Sequence, residues 1–302
     1  MRIHDEKFNL ESEKVRRDYI FSLFSDVHIT STASLKLWPS LVDEVKKTSP
    51  DYIFVPGDIV YTSDDFLDSN NSKRVIDLFS TLNMVAPTFL SLGNHELKSG
   101  RRSTNDYSLQ FLKSLEEKTG IKILDSRFKT QSVDLGDIRV WGFCPRVETY
   151  YRRNYDSWID CFIEDYNNSQ LEFPSDKYNI LLTHSPDIIS DPKVLRELRE
   201  KLVNLDLILS GHRHDGYIPK WVQSLFFKDS DIGIDVSDGE RKKDYIISIV
   251  DKCRGIHNVM DSNMIVTRGL RKYSHDNVIF GTLDKLSSKD ISTIELKRTL
   301  KI

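Results

Sequence analysis

Five short apolar runs in this chain are each followed at once by residues able to bind metal ions. Tyr19–Phe24 leads into Ser25-Asp26-Val27-His28, Tyr52–Val55 into Pro56-Gly57-Asp58, and Thr88–Leu92 into Gly93-Asn94-His95-Glu96. Asn179–Leu182 leads into Thr183-His184-Ser185-Pro186, and Leu205–Leu209 into Gly211-His212-Arg213-His214. Runs of this length, rich in Ile, Leu, Val and Phe, read as buried strands. Donor residues just past the C-terminal ends of several strands converge on one edge of a sheet, where open α/β folds place their sites. Of the eight histidines, five lie in these words. Carboxylate, amide oxygen and neutral imidazole together suit borderline divalent cations. Asp58 is the lone donor of its word, which makes its carboxylate the natural bridge between two ions.

The segments between these words carry helical periods. Leu35–Lys47 has apolar positions at Leu37, Leu41, Val42 and Val45, with Pro50 as a stop. Ser72–Leu82 and Asn105–Lys118 read as further helices, the latter ended by Gly120. Ile188–Val203 reads as a helix with Val194, Leu195, Leu198 and Leu202 on its apolar face. Residues 2–24 read as two strands around a charged turn, Glu11–Asp18. Ile121–Leu124, Phe128–Val133 and Ile138–Phe143 read as strands, the last two joined by the hairpin signal Asp134-Leu135-Gly136-Asp137. Asp58–Asn71 reads as a polar loop. Strand–helix alternation, a strand pair and renewed alternation suit a mixed-sheet α/β sandwich.

Composition narrows the classes. The chain has 302 residues, 39% hydrophobic and 29% charged, as in ordinary globular proteins with a sizeable core. No Gly/Ser/Pro-rich linker divides it and the metal words span most of it, so residues 1–302 read as one domain. A net charge of −3 gives no electrostatic signal for long nucleic acid. Cys144, Cys161 and Cys253 have no paired spacing, which argues against a disulfide framework or a thiolate zinc site and for a reducing compartment. The polar start Met-Arg-Ile-His-Asp-Glu-Lys is unlike a signal peptide, and no run approaches the ~20 apolar residues of a membrane span, so a cytoplasmic location is expected.

The words Asp26-x-His28, Gly57-Asp58, Gly93-Asn94-His95-Glu96, the lone His184 and Gly211-His212-x-His214 resemble, in order, the five blocks of the calcineurin-like metallophosphoesterase superfamily. The resemblance covers about Tyr19 to about Tyr217. It implies a four-layer α-β-β-α fold around a central mixed β-sandwich. It also implies that Asp26, His28 and His214 hold one metal with the bridging Asp58, that Asn94, His184 and His212 hold a second, and that His95 sits over the phosphate. The activity implied is hydrolysis of a phosphoester or pyrophosphate bond by a metal-bridging hydroxide. Two ions ~3.5–4 Å apart can bind phosphate oxygens and lower the pKa of water towards neutrality. With no Cys ligand, manganese is the first expectation, with iron or zinc open. A phosphodiester or nucleotide-linked diphosphate is the expected substrate. A low-selectivity phosphomonoesterase, or a metal-binding scaffold or regulatory protein with little turnover, are the alternatives. Thr183-His184-Ser185-Pro186-Asp187 and Thr267-Arg268-Gly269 also resemble the bacterial branch that includes UDP-2,3-diacylglucosamine diphosphatase-like enzymes. That branch reads Gly-His-Thr-His-Gly-Gly at the last block, where this chain has Arg213 and Asp215.

Two segments stand apart as substrate-side or peripheral insertions, 145–166 and 217–255. The first is rich in Tyr, Arg and Asp without a clean period, and is expected to fold over the metal edge. Its Arg146, Tyr150, Tyr151, Arg152 and Arg153 read either as a solvated loop or as phosphate or base contacts, since Arg forks match phosphate oxygens. Arg213 reads equally as a local hydrogen-bond donor or a substrate contact. Trp221–Phe227 reads as core packing or an oligomer contact, or else as an apolar wall for substrate or a peripheral membrane contact. Oligomeric state is not legible.

Overall fold

The structure is a computed structural model and describes residues 3–30, 37–98, 105–128, 131–150, 155–186, 191–212, 254–270 and 289–300. The sequence readings of Tyr151–Arg153, Arg213, His214, Trp221–Phe227 and most of 217–255 lie outside the described residues.

In chain order the first half contains β1 (Ile3–Ser12), β2 (Tyr19–Leu23), α1 (Leu37–Thr48), β3 (Tyr52–Pro56), α2 (Ser69–Val85), β4 (Thr88–Ser91), the single turn α3 (Asn94–Leu97), α4 (Asn105–Thr119) and β5 (Lys122–Ile123). The second half contains β6 (Ser132–Asp134), β7 (Ile138–Phe143), α5 (Val147–Tyr150), α6 (Tyr155–Asn168), β8 (Tyr178–Thr183), α7 (Pro192–Leu198), β9 (Leu205–Ser210), β10 (Gly255–Val259), β11 (Ser262–Val266) and β12 (Lys289–Arg298).

The strands form two six-stranded sheets, β1-β12-β2-β3-β4-β5 and β10-β11-β9-β8-β7-β6. In the first sheet β2 to β5 are parallel, and in the second so are β7, β8, β9 and β11. Both sheets are mixed, because β12 runs antiparallel to β2, β6 to β7 and β10 to β11.

Alternation along the strands produces the layers. A strand sends successive side chains to opposite faces. On β3, Ile53 and Val55 pack under α1, α2 and α4, while Phe54 points between the sheets. On β8, Ile180 and Leu182 point between the sheets, while Leu181 packs under α6 and α7. The result is an α-β-β-α stack, the mixed-sheet sandwich expected from the sequence. Burial on both faces explains why these strands read as continuous apolar runs rather than alternating ones.

Helix ends follow local chemistry. Asp68 caps α2, accepting the N–H groups of Asn70 and Asn71, so the helix begins before Ser72. Asp191 does the same for α7, with Pro192 in its first turn. The polar stretch after Asp58 contains a short 3-10 turn, Ser63–Phe66. The strand before the hairpin starts at Ser132, later than Phe128.

The largest departure from the sequence reading is 145–166. It contains α5 and most of α6, and α6 buries Ile159, Phe162 and Tyr166 against Phe143, Leu181 and Val194. The spacing of those three residues is helical, but interleaved Asp, Cys and Trp blur the apolar stripe. Among the described residues no helix is long and apolar enough to cross a membrane.

Candidate metal centre

The carboxyl ends of β2, β3 and β4 meet those of β8 and β9 at one edge of the sandwich, and the turns leaving them carry the candidate ligands. Local backbone geometry is unusual there. Eight described non-glycine residues have positive φ, and four are Asp26 (54°), His28 (43°), Asp58 (56°) and His212 (72°). Left-handed backbone at non-glycine residues costs on the order of 1–3 kcal/mol each and persists only where surrounding structure imposes it. Here the turns are laced together. Asp26 N–H donates to the Gly57 carbonyl (3.2 Å), His28 N–H to that of Asp58 (3.1 Å) and Gly211 N–H to that of His184 (3.0 Å). Close packing leaves no room for side chains. A Cβ on Gly93 would overlap the Asp58 carboxylate, and one on Gly211 would overlap Ser25 and Asp26.

Asp58 is the centre of the cluster. Its Oδ1 accepts the His95 N–H at 3.0 Å. Its Oδ2 lies 2.9 Å from His184 Nε2, 3.9 Å from His28 Nε2 and 3.8 Å from His95 Nε2. Donor atoms of His28, Asp58 and His95 form one close group, and those of Asp58, His184 and His212 form another. Asp26 adjoins both, with Oδ1 3.8 Å from His28 Nε2 and 3.9 Å from His184 Nε2. Its Oδ2 accepts the Ser25 hydroxyl and the His212 N–H (3.0 Å). Asn94 is buried at the start of α3 beside His95.

This donor set fits divalent cations. His184 Nδ1 lies 2.7 Å from the Pro56 carbonyl, His28 Nδ1 3.2 Å from that of Val60, and His95 Nδ1 bonds that of Tyr61. A carbonyl only accepts, so each Nδ1 carries the proton and each Nε2 turns towards the acidic cluster, the arrangement by which proteins orient metal-bound imidazoles. The buried acids favour positive charge on the imidazoles that face them. Burial opposes charge on His184, yet Asp58 and Asp26 outweigh it and push its pKa up to about 10. Burial likewise opposes ionisation of Asp58, but the facing His184, His95 and His28 hold it well below the usual carboxylate range.

The remaining candidates divide. Tyr150 stands at the cluster, its ring 5.9 Å from that of His212 and its hydroxyl 4.0 Å from Cys144 Sγ. Arg146 is engaged elsewhere: its guanidinium pairs with Glu164 (2.6 Å) and Asp165 (2.5 Å) of α6, so a phosphate would have to displace two carboxylates. His214 and Arg213 lie outside the described residues. A groove of about 770 Å³ between β1 and α1, lined by His4, Asp43 and Lys47 among others, contains none of the candidate ligands.

The sequence profile of the calcineurin-like phosphoesterase family matches residues 21–216, from β2 to just past the last histidine pair. The chain belongs to that family. This calcineurin-like phosphoesterase is 27% identical over 210 residues to an uncharacterized metallophosphoesterase of Campylobacter jejuni, covering 70% of this chain and 48% of that protein. It is 28% identical over 209 residues to one of Helicobacter pylori, covering 68% and 47%. The chain thus spans about half the length of the curated relatives it matches. Among solved structures it is similar to a dimetal phosphatase from Danio rerio, at 13% identity and a TM-score of 0.45, covering 83% of this chain and 87% of that one.

Sequence reading passed over Glu96. Fully buried, it belongs to the Gly93-Asn94-His95-Glu96 word, and its place in that word is the only signal the sequence offers for it.

Proposed function

We propose that this chain hydrolyses a phosphoester or diphosphate bond with two divalent ions held at the Asp58 cluster. The observation that carries the reading is that one carboxylate belongs to two histidine groups, His28 with His95 and His184 with His212. Asp26, His28, His214 and Asp58 would hold one ion, and Asp58, Asn94, His184 and His212 the other. Two such ions, when bound, supply Lewis-acid charge for phosphate oxygens and activate water near neutral pH.

The protein's own groups complete the chemistry. The His95 side chain is 18% exposed, against 2% for His28 and 0% for His184. That exposure suits a residue that meets substrate, where its imidazole stabilises charge on the phosphate or protonates the leaving oxygen. The Tyr150 ring beside His212 forms a wall against which the substrate is oriented. The favoured substrate is a phosphodiester or a nucleotide-linked diphosphate, and manganese is the favoured metal, with iron and zinc as comparisons.

The test is turnover by metal-stripped protein reloaded separately with manganese, iron or zinc. Bis-p-nitrophenyl phosphate would be compared with the monoester, followed by nucleotide diphosphates, cyclic nucleotides and phospholipid head groups. Metal-dependent turnover with the diester ahead is expected. Faster monoester hydrolysis would favour a phosphomonoesterase, and two bound ions without turnover would leave a metal-binding scaffold.

A further inference from the structure

Glu96 accepts four backbone N–H groups with one carboxylate. Oε1 takes those of Ile59 (2.6 Å) and Val60 (3.3 Å), and Oε2 takes those of Asp58 (2.9 Å) and Gly93 (2.7 Å). Left-handed backbone at Gly57 (81°) and Asp58 (56°) turns three successive N–H groups the same way, a concavity that binds anions. The anion here is a side chain from another turn. Glu96 lies on α3, after β4, whereas the concavity follows β3. The same two turns meet again where His95 N–H donates to Asp58 Oδ1.

We propose that Glu96 is a positioning residue, a side-chain clasp that joins the Pro56–Val60 turn to the Gly93–His95 turn and so sets where Asp58, the proposed shared ligand, stands. The proposal rests on the two-metal reading above. Both oxygens of the clasp face donors, so the carboxylate form matches and a neutral amide does not: one arm of a glutamine would point N–H at N–H. Bulk solvent does not reach this carboxyl, because Glu96 is 0% exposed. Every partner in the clasp is a protein group.

The experiment compares full-length wild type, Glu96→Gln, Glu96→Asp and a packing control, Leu41→Ala, which thins the helix layer away from these turns. Amide hydrogen exchange is read on metal-stripped protein, and manganese affinity by calorimetric titration of folded protein. Glu96→Gln is expected to lose exchange protection at Ile59, Val60 and Gly93. Its manganese affinity should fall by about 10–100-fold, the usual effect of removing a group that orients a ligand. Glu96→Asp, which keeps the charge with a shorter reach, should show a smaller loss of the same kind. Leu41→Ala should melt earlier yet bind manganese as wild type does. Folded Glu96→Gln with wild-type exchange and wild-type affinity would overturn the proposal. If Glu96→Gln does not fold, Glu96→Asp decides: wild-type protection and affinity in that variant would overturn it equally. Wild type that binds none of manganese, iron and zinc would sink the two-metal reading, while the exchange comparison would still decide whether the clasp exists.

Discussion

Asp58 and His95 are adjacent in space but are expected to fail differently when replaced. Asp58 contributes one charge to two histidine groups. On the two-ion reading, Asp58→Asn removes that charge from both ion positions at once, so metal content and turnover should collapse together. The far-UV circular dichroism should stay native, because the apolar layers do not involve this side chain. Two ions per chain by elemental analysis, with near-normal turnover, would rule out Asp58 as the shared ligand. His95 is the more exposed imidazole, with its ring stacked on Tyr61 at 5.2 Å. His95→Ala should keep both ions and lose on the order of 10²–10⁴-fold in kcat, the range for a missing acid or charge-stabilising group. The loss should shrink with a nitrophenolate leaving group, which needs no proton. Equal losses for good and poor leaving groups would leave only an electrostatic role, and loss of a metal would make His95 a ligand.

At the scale of elements, the candidate ligands sit on strained turns while the helices carry the packing. α6 shows the division. Phe162 is fully buried on it, with its ring 5.4 Å from Phe143 and 6.4 Å from both Trp158 and Tyr166. Phe162→Ala should cost about 3–5 kcal/mol in denaturant unfolding, the usual price of truncating a buried phenylalanine. Manganese affinity of the folded protein should stay within error of wild type, since α6 supplies no candidate ligand. A large loss of affinity at unchanged stability would mean that α6 acts on the metal edge rather than on the core. The helix was hidden in the sequence because its apolar stripe is narrow and crossed by acidic residues. α1 was legible because Leu37, Leu41, Val42 and Val45 repeat without interruption and are all buried.

At the scale of the whole molecule, polar ties join the two sheets at opposite ends. At the metal edge His184 binds the Pro56 carbonyl and His212 N–H binds Asp26. At the other end the Tyr19 hydroxyl and the Arg16 N–H both donate to Asp137 (2.5 Å each), and Lys14 pairs with Asp206 (2.8 Å). Burial and the bond to Asp137 push the Tyr19 pKa up to about 12. Burial opposes ionisation of Asp137, but the Tyr19 and Arg16 bonds outweigh it and hold its pKa below the ordinary value. The signs follow from linkage. The raised Tyr19 pKa contributes stability that is complete below the unfolded tyrosine value of about 10 and is lost as pH rises towards the folded value. The depressed Asp137 pKa contributes stability present above about pH 4 and lost as pH falls through its folded pKa. Tyr19→Phe should therefore melt lower at neutral pH and show a flatter alkaline limb from about pH 10 upward. Parallel melting curves of the two proteins across that range would exclude the tie as a pH-sensitive element.

The sequence by itself determined the strands that bear the donor words, the helices α1, α2 and α4, and the meeting of Asp26, His28, Asp58, His95, His184 and His212 at one edge, because each depends on a local pattern: an apolar run, a helical period, or a donor placed just past a strand. Tertiary structure alone decided the rest. β12 enters the first sheet between β1 and β2, a pairing between distant segments that no local period encodes. Arg146 turned to the acids of α6, and Glu96 to the backbone of another turn. Which histidines share Asp58 was decided in the same way. These are choices among partners, and a partner is selected by what the folded layers bring within hydrogen-bonding distance once the apolar faces are buried.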